Sequence, residues 1–85
     1  MLVAEDNEVA GYLLVRTVEA LGWQVDLVTD GPQAVARVQQ MQDTGNAYDV
    51  ILMDWRMPDM DGLSAARLIR QQSKGQSAPM IIMIT

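Results

Sequence analysis

Residues 49–54 read Asp49-Val50-Ile51-Leu52-Met53-Asp54, four consecutive apolar side chains closed by an acid. A continuous apolar run of this length is the pattern of a strand covered on both faces, as in a parallel sheet, whereas a half-exposed strand alternates. An acid that ends such a strand is costly to bury without a partner, so Asp54 is a candidate for chemistry as well as for turn formation.

Working outward, the next segment holds Pro58, Asp61 and Gly62, which are turn and cap chemistry. Leu63, Ala66, Leu68 and Ile69, on a segment carrying Arg67 and Arg70, then predict an amphipathic helix. Ser73 to Ser77 reads as a loop, and Pro79 opens a second apolar run, Met80-Ile81-Ile82-Met83-Ile84, before Thr85. On the amino-terminal side, Asp43 to Asn46 reads as a loop. It follows a helix in which Pro32 suits the first turn and Ala34, Val35, Val38 and Met41 share a face. Asp30-Gly31-Pro32 separates that helix from Gln24 to Thr29, whose alternation predicts a half-buried or edge strand. Before it, Val9, Leu13, Leu14, Thr17, Val18 and Leu21 recur at helical spacing, with Asn7 as N-cap and Gly22 past the C-terminus. The chain opens on the short apolar run Met1 to Ala4, which stops at Glu5-Asp6.

The order is therefore β-α-β-α-β-α-β. Strict alternation calls for a parallel sheet with right-handed crossovers and helices on both faces. In such sheets ligands bind outside the carboxyl ends of the strands, where the helices begin.

Composition narrows the chemistry. Eighty-five residues, 49% hydrophobic and 20% charged, describe one globular domain, and a chain this short buries only about 60% of its unfolded surface. There are no cysteines and no histidines, which removes disulfides, thiolate or imidazole zinc sites and Ser-His or Cys-His catalysis, and fits a reducing, cytoplasmic setting. A net charge of -5 disfavours direct nucleic-acid binding and anionic lipid. No apolar run approaches the roughly 20 residues of a membrane span, and no signal peptide pattern opens the chain. The seven methionines are expected to fill gaps in the core, and Trp23 to pack.

Three apolar runs end in oxygen-bearing residues: Met1 to Ala4 in Glu5 and Asp6, Val50 to Met53 in Asp54, and Met80 to Ile84 in Thr85. In a parallel sheet all emerge on one rim. If the first and third strands are neighbours, three carboxylates converge, and they cannot all stay ionised without a counter-ion. Hard oxygen ligands in this number suit Mg²⁺ with open coordination positions that can also hold a phosphate. Asp54 is then the candidate nucleophile toward phosphorus, and the Thr85 hydroxyl can donate a hydrogen bond to a phosphoryl oxygen.

These segments resemble the receiver domain of bacterial two-component response regulators and hybrid histidine kinases. Val3-Ala4-Glu5-Asp6-Asn7 is similar to the family's acidic-pair segment, Asp49 to Asp54 to its phospho-acceptor strand, Met57-Pro58-Asp59-Met60-Asp61-Gly62-Leu63 to the loop after it, and Pro79 to Thr85 to the strand ending in Ser or Thr. The resemblance implies a flavodoxin-like (CheY-like), doubly wound sheet in the order 2-1-3-4. It also implies Asp54 as phospho-acceptor and Asp6 as a direct Mg²⁺ ligand, with Glu5 acting through water. Arg56 would lend its backbone carbonyl to the metal, Trp55 and the Arg56 side chain would tune access, and Thr85 would be the switch hydroxyl. The implied partner is a histidine kinase or histidine phosphotransfer domain docking near the first helix.

Against the family's roughly 120 residues, a usual domain size, residues 1–85 are expected to form an incomplete receiver. The last helix-strand-helix, with the family's phosphate-pairing Lys, is expected to be missing. Lys74, in the loop before the fourth strand, does not replace that Lys. The charge-free fourth strand is then an open edge, and self-association through it is expected. Two alternatives use the same residues. A haloacid-dehalogenase-type phosphatase needs a second acid two positions after its nucleophile, where this chain has Arg56. A non-phosphorylated receiver-like interaction module would keep the fold without the chemistry.

Overall fold

Each of the seven patterns forms its element in a computed structural model, which describes residues 1–73 and 78–84. In chain order these are β1 (Leu2–Ala4), α1 (Glu8–Ala20), β2 (Asp26–Val28), α2 (Gly31–Asp43), β3 (Val50–Asp54), α3 (Gly62–Gln72) and β4 (Met80–Ile84). The strands form one parallel sheet in the order β2-β1-β3-β4. Sequence periodicity cannot supply that order, but it is the order that the resemblance implies.

Each helix starts at a side chain suited to the task. Asn7, Asp30 and Asp61 cap α1, α2 and α3 by accepting hydrogen bonds from the backbone N–H groups of Ala10 (2.9 Å), Gln33 (2.7 Å) and Ser64 (2.7 Å). Each cap satisfies one of the amides a helix start leaves unpaired. Gly22, at φ +92°, takes the left-handed position after the C-cap of α1, as its place in the sequence predicts.

The core lies between the sheet and the pair α2 and α3. Leu2 and Ala4, Ile51 and Met53, and Val28 point to this face and meet Ala34, Val38, Ala65 and Ile69. Alternation of side chains along β1 and β3 makes this two-residue spacing one surface. Full burial of a Leu or Ile is worth about 1.5–3 kcal/mol, so Leu2, Ile51 and Ile69, all wholly enclosed, are large contributors. Between the helices, the Gln42 side-chain amide donates to the Ser73 hydroxyl at 2.7 Å and that of Gln72 to the Val35 carbonyl at 3.1 Å.

Helix α1 covers the other face, over Val3 and Leu27, and Gly11 lies close to the Leu27 side chain. Its helical period matches the sequence, but its apolar positions are not all buried: Val18 is, whereas Val9 is 69% exposed and Leu13 and Leu21 are also open. Trp23, expected to pack, is 47% exposed. The cause is the thinness of this layer. Ile81 and Met83 of β4 face the α2–α3 core, so Met80 and Ile82 point to the α1 side. Among the described residues nothing covers them, and Met80 is 64% exposed.

At the amino edge of the sheet, Tyr48 is buried and its hydroxyl donates to Asp26, which also faces Arg37 at 3.7 Å. Burial and the Asp26 carboxylate push the Tyr48 phenol up to about 12, so it stays a donor. This cluster ties β2, α2 and the start of β3 at the end opposite the acids.

Candidate functional site

Register brings the acids together. Ala4 of β1 pairs with Met53 of β3, so the next residues along the two strands, Glu5 and Asp54, leave the sheet at the same level. Asp54 in turn pairs with Ile84 of β4. Glu5, Asp6 and Asp54 each offer a carboxylate oxygen within 4.8 Å of the others. The sequence expectation that these three converge at the carboxyl rim therefore holds in space. Thr85 and Lys74 lie outside the described residues.

The three carboxyls sit in graded surroundings. Asp54 is 8% exposed, Glu5 is half-buried and Asp6 is exposed. The backbone N–H of Arg56 donates to Asp54 Oδ1 at 3.2 Å. Burial pushes the Asp54 carboxyl up, but hydrogen bonds with Glu5 and from the Arg56 and Trp55 amides outweigh it and hold the group below the usual carboxylate range. Glu5 goes the other way, to about 7, through burial first and then its hydrogen bond and charge contact with Asp54, with Asp6 adding to it. A proton on Glu5 lets one carboxyl donate to the other, so near neutrality the pair holds one charge more readily than two.

This donor set fits a hard divalent cation. All three donors are carboxylate oxygens, and Glu5 Oε2 is buried without a hydrogen-bond partner among the described residues. A 4.8 Å spread is close to the roughly 4.2 Å that separates opposite oxygens around Mg²⁺.

The loop after Asp54 is pinned at its ends. Trp55 N–H donates to the Ile84 carbonyl at 2.8 Å, and Gly62 N–H donates to the Trp55 carbonyl at 3.0 Å. A Cβ on Gly62 would overlap the carbonyl oxygen of Asp54 and crowd the Met83 methyl at 2.8 Å. Gly62 is thus more than a turn residue: without a side chain, the first turn of α3 can lie directly against the Asp54 backbone. The sequence offered only the Asp61-Gly62 pair as a signal. Asp59, at φ +69°, takes a left-handed conformation that Asp tolerates better than most residues. Trp55 is 45% exposed and Arg56 is exposed, so both side chains stand beside the rim.

Comparison with known proteins gives a consistent picture. The family model described as response regulator receiver domain matches residues 1–85. A hybrid signal transduction histidine kinase L of Dictyostelium discoideum is 37% identical over 84 residues, which is 99% of this chain and 5% of that protein. The receiver domain of the sensor histidine kinase PA1611 from Pseudomonas aeruginosa, solved with a magnesium ion coordinated in its active site cleft, superposes with a TM-score of 0.85 at 43% identity. That match covers 99% of this chain and 64% of the other. The receiver domain of the histidine kinase CKI1 from Arabidopsis thaliana, complexed with Mg²⁺ and BeF₃⁻, gives a TM-score of 0.84 at 31% identity over 96% of this chain and 62% of that one. This chain therefore spans a small part of the curated relative and a little under two thirds of the solved receivers. The relatives include a slime mould, a plant and a bacterium, so the expectation of a bacterial protein gains no support from them.

Proposed function

The chain belongs to the response regulator receiver domain family, and from that premise we propose that it accepts a phosphoryl group on Asp54, from phosphohistidine, with Mg²⁺ at the acidic rim. The observation that carries this is the meeting of the Glu5, Asp6 and Asp54 carboxylates within 4.8 Å at the carboxyl edge of the sheet. Magnesium bound in the PA1611 and CKI1 receivers supports the choice of ion. Asp6, Asp54 and the Arg56 backbone carbonyl would hold it directly, and Glu5 through water. When bound, the cation offsets the charge of the phosphoryl oxygens.

The chain's own residues supply the rest. Asp54 is the nucleophile: its low proton affinity keeps it ionised, and the Arg56 amide fixes its orientation. In the transfer, an Asp54 oxygen bonds to phosphorus as the bond from phosphorus to the donor imidazole nitrogen breaks. The electron pair of that bond and a proton from solvent go to the imidazole. Thr85, which follows Ile84 in sequence, donates its hydroxyl to a phosphoryl oxygen and acts as the switch. Trp55 and Arg56, both exposed at the rim, tune access of water.

The donor is a histidine kinase or a histidine phosphotransfer domain, and the exposed Val9, Tyr12 and Leu13 on α1 suit its docking. Residues 1–85 form an incomplete receiver, β1 to β4, placed on the cytoplasmic side; no described helix is long and apolar enough to cross a membrane. The open edge of β4, with Met80 and Ile82 exposed, supports pairing of the 85-residue chain with itself.

Intact mass after incubation with phosphoramidate and Mg²⁺ tests the acceptor. A gain of one phosphoryl group, lost in Asp54→Asn and on chelation of Mg²⁺, is expected. A gain only in a version extended by the last helix-strand-helix makes residues 1–85 an inactive part of a working receiver; no gain in either, when folded, Mg²⁺-binding and supplied with a phosphohistidine donor, brings forward the non-phosphorylated interaction module.

A further inference from the structure

Gly31 opens α2, some distance along the chain from the acids, yet it meets the loop that follows Asp54. A Cβ built on Gly31 would lie 2.7 Å from the Met60 Cβ, 2.8 Å from the Met60 carbonyl oxygen and 3.1 Å from the Met60 Cγ. Real Cβ contacts are essentially never as short as the first two, and one of these is to backbone, which cannot swing aside as a side chain can. Unlike Gly22 and Gly45, Gly31 has no left-handed φ. Its need for glycine is therefore one of space: the first turn of α2 lies directly against Met60.

The loop so braced has little slack. It is closed by the Gly62 N–H to Trp55 carbonyl bond at 3.0 Å and by the bond from Trp55 N–H to Ile84 at 2.8 Å. Within it, Met60 N–H donates to the Pro58 carbonyl at 2.8 Å, Asp59 holds a left-handed conformation and Asp61 caps α3. Arg56, inside the same loop, donates its amide to Asp54 Oδ1 at 3.2 Å. With both ends pinned, a displacement at Met60 is taken up in the span between Trp55 and Met60, which contains that amide.

We propose that Gly31 is a positioning residue for the acidic rim: through direct contact with Met60, the start of α2 sets the loop that orients the Asp54 carboxylate and offers the Arg56 carbonyl. The proposal rests on the acceptor reading above, because it concerns the geometry of that cation site. Groups that orient metal ligands without touching the metal typically change affinity by about 10–100-fold when altered.

The test uses the 85-residue chain carrying Trp23→Phe, so that Trp55 is the sole indole beside the rim, and titrates Mg²⁺ by its fluorescence. Gly31→Ala is expected to weaken Mg²⁺ by about tenfold and, in the metal-free protein, to move the Arg56 amide resonance in a ¹H–¹⁵N spectrum. Gly22→Ala is the control: it strains a left-handed position with nothing within 4 Å, so it lowers the melting temperature while Mg²⁺ affinity and the Arg56 amide stay put. Met60→Gly removes the Cβ and Cγ from the contact without adding a clash, so it decides the matter if Gly31→Ala does not fold; it is expected to weaken Mg²⁺ in the same direction. Unchanged affinity and an unmoved Arg56 amide in a folded Gly31→Ala, or in Met60→Gly where the former does not fold, overturn the brace and leave the acceptor reading standing. Equal weakening in Gly22→Ala also overturns it, because the effect then follows stability alone. A parent chain with no Mg²⁺ response, or one that survives Asp54→Asn together with Asp6→Asn, refutes the cation site itself and the brace with it.

Discussion

Replacing Glu5 with Gln is expected to stabilise the metal-free protein above neutrality and to leave it nearly unchanged near pH 4.5. The folded Glu5 carboxyl titrates at about 7 against an ordinary value of 4.5. Between those values the folded chain holds a proton that the unfolded chain releases. Stability therefore falls as pH rises through that window, and the penalty is complete above the folded value. Each pH unit is worth about 1.4 kcal/mol, which sets a ceiling of about 3 kcal/mol; Glu5 is half-buried, and solvent screening reduces the expected effect to about 1–2 kcal/mol. Asp54 has the opposite sign. Its folded value is lowered from 3.8, so its contribution is present above that pH and is lost only as pH falls further. Gln at position 5 keeps a donor for Asp54 and removes the charge. Urea melts in EDTA from pH 4.5 to 8 measure the outcome: the parent midpoint should decline across this range and that of Glu5→Gln should stay level. Parallel profiles would falsify the shared-proton account of the rim. Mg²⁺ added to the parent at pH 6 should also release protons into a weakly buffered solution, because a cation replaces the proton held by Glu5.

Other perturbations probe separate parts of the structure. Gly62→Ala forces α3 away from the Asp54 carbonyl and is expected to cost about 1–3 kcal/mol in a urea melt; a melt equal to that of the parent would contradict the close approach. Ile51→Ala, wholly buried in β3, is expected to cost about 2–5 kcal/mol by the same measurement, without a change in element content by circular dichroism. Asp30→Ala removes the side-chain bonds to the Gln33 backbone N–H at 2.7 Å and side-chain amide at 3.0 Å, and should cost about 1 kcal/mol. Ile82→Lys places a charge on the exposed face of β4, and light scattering should show less association than in the parent; equal association would locate self-pairing elsewhere.

Much of this protein could be read along the chain because its signals are local. Period and run length separated strands from helices, Asn7 and Pro32 announced the starts of α1 and α2, and the acids that end apolar runs pointed to one rim. Those features depend on dihedral preferences and on the cost of burying charge, which operate within a few residues. The same local rules misjudged Trp23, because an apolar side chain marks a candidate for packing but not whether another layer covers it. The resemblance implied that β1 lies beside β3, but only the tertiary structure gave the register that sets Glu5 level with Asp54, and only there do their proton affinities move in opposite directions. The tight places at Gly31 and Gly62 belong to the same class. Each glycine is adjacent to its neighbour in space and not in sequence, and a missing side chain leaves no mark in a pattern until the backbone it admits is seen beside it.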